Sequence, residues 1–107
     1  MAKTEYTINF NYKESISQAD ALDKVATKIK SGAVDELETI INTITKNWEG
    51  QNADAYLIKC KREKTKIEKT IKDLNNAAAA IRRIAETVKA TELRALALAK
   101  AAANKKS

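Results

Sequence analysis

The chain has 107 residues, a net charge of +6, no Pro, no His and a single Cys. This length favours one domain. The residue set excludes Cys/His metal spacings, a Ser-His or Cys-His nucleophilic pair and an internal disulfide. One Cys suits folding in a reducing cytoplasm. No apolar run approaches the ~20 residues of a membrane span. The opening MAKTEYTINF lacks the apolar core and small-residue cleavage site of a secretory signal. Abundant Ala, Lys, Ile, Glu and Leu favour long helices. Charge is uneven: residues 1–50 hold six basic and eight acidic residues, whereas residues 51–107 hold fourteen and six.

Tyr6, Ile8, Phe10 and Tyr12 alternate with polar residues, and a period of two predicts an extended arm over residues 1–13. A first helix is expected over residues 14–48, with Asn11-x-x-Glu14 and Ser15-x-x-Gln18 as capping boxes. Its apolar stripe runs through Ile16, Ala19, Leu22, Val25, Ala26, Ile29, Ala33, Leu37, Ile40, Ile41, Ile44 and Trp48 in steps of three and four. Ser31-Gly32 weakens helix propensity by about 1 kcal/mol, yet the stripe passes through in phase, which predicts at most a bend. Adjacent apolar pairs at Val25–Ala26 and Ile40–Ile41 widen the stripe, as in a bundle of more than two helices.

Residues 49–52 are expected to form the turn. Gly50 can adopt positive φ and terminate the first helix, while Trp48 seals the end of the stripe. A second helix follows over residues 53–103, with Asn52 as cap and Asp54 at its positive end. Leu57, Cys60, Lys64, Ile67, Ile71, Leu74, Ala78, Ile81, Ala85 and Val88 follow heptad spacing. Residues 77–80 are four consecutive Ala, a thin place where another helix can approach. Residues 104–107 are expected to fray.

The fold class is therefore all-α: an antiparallel two-helix hairpin that dimerises into a four-helix bundle. Leu22, Ile29, Leu37, Ile40, Ile44, Leu57, Ile67, Ile71, Leu74 and Ile81 are its expected core and dimer stripe. Lys59, Lys61, Arg62, Lys64, Lys66, Lys69 and Lys72 crowd the second helix. A basic face of this kind suits phosphates, so a nucleic-acid or anionic-membrane binder is one reading and a cytosolic adaptor another. Interleaved Glu63, Glu68 and Asp73, without an aromatic series for stacking bases, favour a solvated face or one matched to an acidic partner. Lys64 occupies a core-type position, where it snorkels or pairs with a carboxylate. Lys64, Lys69, Arg82 and Arg83 form the expected partner-charge face. No catalytic constellation, Gly-rich phosphate loop or cofactor motif is present in the sequence, so no enzyme is expected.

Trp48-Glu49-Gly50 stands mid-chain between two helical stripes, preceded by LETIINTITKN and followed by QNADAYLIKC. In this arrangement the chain resembles the WXG family, the ESAT-type helical-hairpin proteins of type VII secretion, over roughly residues 8–100. The resemblance implies a non-enzymatic homodimer or heterodimer. It would be exported as substrate, or escort an effector such as an LXG-type toxin of Gram-positive bacteria through that toxin's helical targeting domain. It also implies a cytoplasmic stage before signal-independent secretion and contact with the type VII secretion ATPase. Trp48, Glu49 and Gly50 would then be the turn and secretion motif. In the family a Tyr-x-x-x-Asp/Glu element complements that turn. Here Tyr6, Tyr12 and Tyr56 are followed four residues later by Phe10, Ile16 and Cys60, so none matches.

Overall fold

Thr4 starts the first helix. Its hydroxyl accepts the Thr7 N–H at 3.1 Å and its carbonyl accepts the Ile8 N–H at 3.0 Å, the bonding of an N-cap. The computed structural model describes residues 4–106. Helix α1 (Glu5–Ile29) leads into a π-helical turn (Lys30–Val34) and helix α2 (Asp35–Asn47), and helix α3 is Gln51–Lys106. No strand occurs among the described residues. The all-α expectation holds.

The expected arm over residues 1–13 is helical from Glu5 onward, so both proposed capping boxes lie inside α1; Met1 to Lys3 fall outside the described residues. The alternation misled because a period of two also contains two i,i+4 pairs. Ile8 and Tyr12 turn inward, with Ile8 only 2% exposed. Tyr6 and Phe10 stack on each other at 6.4 Å on the outer side. Lys89 sits 4.4 Å over the Tyr12 ring, a cation–π contact that further fixes the inward pair.

At Ser31-Gly32 the helix does not simply bend but widens into a π-turn. An eight-residue step separates buried Ala26 from buried Val34, whereas Ala19 to Ala26 and Leu37 to Ile44 are steps of seven. One extra residue would rotate the stripe by about 100° in a regular helix. The π-turn absorbs it: the Asp35 N–H reaches back to the Lys30 carbonyl as well as to Gly32. Val34 is thereby buried and Ala33, placed on the stripe by unbroken α-helical phase, is exposed. The second helix also extends beyond the expected 53–103, so the expected fray at 104–107 is helical through Lys106 and Ser107 lies outside the described residues.

Contacts divide the chain into two compact units, Leu22–Asn76 and a second comprising Met1–Ala21 with Ala77–Ser107. In the second, Ala19, Ala78 and Ala85 form a buried line with Ile8. Asp20 and Arg82 close one flank of that line through a 2.8 Å ion pair. Helical phase puts Ile81, Ile84 and Val88 on the other flank, where they line an open groove with Ile8 and Tyr12. In the unit Leu22–Asn76 the buried line is Ala26, Val34, Ile44, Ala53 and Cys60. Here Glu38 and Lys64 close one flank at 3.0 Å, and Ile40 projects from the opposite flank of α2 with 44% exposure.

Most of the expected large-residue stripe is only half covered. Ile44 is buried, but Leu22, Ile29, Leu37, Leu57, Ile67, Ile71, Leu74 and Ile81 are intermediate and Ile40 is exposed. Short residues occupy the centre because they let helix axes approach closely, which leaves longer side chains at the margins.

Removing the extra residue tests the phase argument. Deletion of Ala33 is expected to convert the π-turn to regular α-helix while keeping helix content and Tm, measured by circular dichroism. Deletion of Thr65, within the regular α3, turns Ile67, Ile71 and Leu74 by about 100° and is expected to lower Tm by roughly 10 °C.

Candidate functional site

The turn is built by three residues with separate tasks. Helix α2 ends at Asn47, whose side-chain amide donates to the Thr43 carbonyl at 3.0 Å. Trp48 then leaves helical geometry, with φ −116° and ψ 141°, while its N–H still donates to the Ile44 carbonyl at 2.9 Å. Gly50 has φ +105°, the only positive φ among the described residues. Its carbonyl accepts the Asp54 N–H at 3.1 Å. Gly50 therefore begins α3 rather than terminating the first helix, and the turn occupies residues 48–50 rather than 49–52. Asn52, expected to cap the second helix, lies within its first turn, and Asp54 in that turn faces the positive helix end.

Trp48 does not seal the core. Once its backbone is extended, the phase that set Ile44 inward no longer directs the indole. The ring remains 57% exposed and meets Tyr56 with centroids 6.4 Å apart and a 36° tilt. Tyr56 is itself 49% exposed. Glu49 and Gly50 are exposed beside them. The result is a solvent-facing aromatic pair next to a backbone that only glycine adopts readily. No helix among the described residues is long and apolar enough to cross a membrane.

Three of the four residues expected to form a partner-charge face have carboxylates in this chain. Lys64 pairs with Glu38, Arg82 with Asp20, and Lys69 with Asp73 at 3.2 Å. Arg83 is exposed. The hydrogen bond from Lys64 to Glu38 raises the Lys64 pKa above the ordinary lysine value; desolvation opposes this, and the charges of Glu38 and Glu68 assist. Sequence reading placed Lys64 in the core-type register but could not choose its partner, because Glu38 lies on another helix. The contact of Tyr56 with Trp48 has no signal in the sequence, because the two residues are eight positions apart across the turn.

The sequence matches the family described as "WXG100: Proteins of 100 residues with WXG" over residues 7–93. The chain belongs to the WXG100 family. Its members are small, helical, non-enzymatic proteins associated with type VII secretion. No curated protein matches the chain, and no solved structure does.

A β-carbon on Gly50 would meet no heavy atom within 4 Å, so substitution there acts through backbone strain alone. Gly50→Ala is expected to lower unfolding free energy by about 1–2 kcal/mol, and Gly50→Val by more, as measured by denaturant titration. For the Glu38–Lys64 pair, a raised folded pKa means the contribution is complete below the ordinary lysine range and is lost as pH rises through the raised value. Glu38→Gln is therefore expected to reduce Tm from neutral pH up to the lysine range, and the difference from the parent chain closes at higher pH.

Proposed function

We propose that this chain is a type VII secretion substrate or effector escort, non-enzymatic, that acts through helical pairing and its Trp-x-Gly turn. Antiparallel helices on either side of Trp48-Glu49-Gly50 form a hairpin. That hairpin pairs with a second one into a four-helix bundle. The second hairpin is another copy, a related chain or the helical targeting domain of an LXG-type toxin. Pairing occurs in the cytoplasm, and secretion follows without a cleavable signal peptide. The turn is offered to the secretion ATPase.

The observation that carries this reading is the exposure of Trp48 at a WXG100 turn. A lone Trp placed for packing would be covered, and 57% of this one faces solvent. Pairing is supported by the half-covered stripe. Val25, Ile40, Ile84 and Val88 are 46%, 44%, 63% and 46% exposed, and exposed apolar surface on this scale marks interaction sites. Within each unit the ion pair occupies one flank and leaves the apolar flank open.

Trp48→Ala separates recognition from packing. It is expected to lower export by about tenfold or more, the effect of an aromatic anchor worth over ~1.4 kcal/mol. Dimerisation, measured by analytical ultracentrifugation, is expected to persist. Equal loss of export and dimerisation would return Trp48 to a packing role.

A further inference from the structure

We propose that Tyr56 is a positioning residue that holds the Trp48 indole in the orientation the secretion machinery reads. The functional element is then an aromatic pair spanning the turn, and the Trp-x-Gly triplet is one half of it. This rests on the reading of the turn as a recognition element.

Trp48 lies outside the helix, so no neighbouring helical turn restricts its side chain. A half-exposed indole on extended backbone samples several rotamers, and a partner must select one. Tyr56 supplies what the backbone does not. It stands three residues after Ala53 and four before Cys60, which are 4% and 7% exposed. Those two buried residues fix the face of α3 from which Tyr56 projects. Its ring meets the indole at 6.4 Å and 36°, within the range of favourable aromatic pairs. Neither ring is part of the buried core, so filling that core does not explain the contact. Gly50, with its positive φ, lies in the turn between the two rings. The contact carries no signal in sequence because the partners are eight residues apart and on either side of a turn.

The chain offers a direct probe, because Trp48 is its only Trp. Fluorescence anisotropy and acrylamide quenching of the full chain report indole mobility and access. Secretion in the native cell, scored as extracellular over cell-associated protein, reports function. Tyr56→Ala is expected to lower anisotropy, raise quenching and reduce secretion roughly two- to twelvefold, the range an aromatic pair supports. Tyr56→Phe keeps the ring and is expected to retain all three values. Tyr56→Leu keeps apolar volume without an aromatic face and is expected to behave as Tyr56→Ala with helix content unchanged, which separates positioning from folding.

Unchanged anisotropy and quenching in Tyr56→Ala would overturn the proposal. So would a mobilised indole with undiminished secretion, or loss of secretion in Tyr56→Phe. Failure of the underlying reading looks different: Trp48→Ala itself would secrete at the parental level. If Trp48→Ala is impaired and Tyr56→Ala and Tyr56→Leu are not, only the positioning role falls.

Discussion

Close packing of short side chains governs this protein. Ala19, Ala78 and Ala85 line one unit, while Ala26, Ala53 and Cys60 line the other with Val34 and Ile44. Helices that meet through alanine approach closely. Their backbones then occupy the space that leucine and isoleucine would need, and those longer residues are displaced to the flanks. Hydrophobic side chains left there gain only part of the stabilisation available from burial. The same choice therefore leaves apolar surface exposed within each unit.

Charge refines that surface. The cross-helix pairs Glu38–Lys64 and Asp20–Arg82 each bridge one flank of their own unit. Surface ion pairs add little stability individually, but a charge placed on one flank disfavours apolar docking there. The apolar side chains left exposed lie on the other flank, Ile40 in one unit and Ile84 with Val88 in the other. The two cross-helix pairs also partly neutralise the basic excess of the second half, since Glu38 and Asp20 belong to the acidic first half.

Much of the fold was legible because amphipathic spacing is a local property. Long helices, the mid-chain turn and the positive φ of Gly50 all follow from residues close in sequence. Errors arose where two periodicities coincide. Tyr6, Ile8, Phe10 and Tyr12 fit a strand and also fit two opposed helical pairs, and the Thr4 cap decides between them. At residues 30–34 the stripe has nearly the right spacing, and only the eight-residue interval from Ala26 to Val34 reveals the insertion. The site was less legible than the fold. Trp48 and Gly50 were visible as residue types, but the outward direction of the indole depends on where α2 stops. The Tyr56 contact depends on how α3 returns past it, and the partners of Lys64 and Arg82 lie on other helices.

The π-turn has a consequence for how such a chain can vary. A regular helix docked along its length cannot gain a residue without misaligning everything beyond the insertion. By storing the surplus residue in one widened turn at Lys30–Val34, this chain keeps α2 meshed with α3 although the stretch before Trp48 is one residue longer than the seven-residue spacing requires. Helix length is thereby uncoupled from the fit of the seam. Loss of that one residue from this turn becomes a tolerable change, because the stripe on either side returns to its seven-residue spacing.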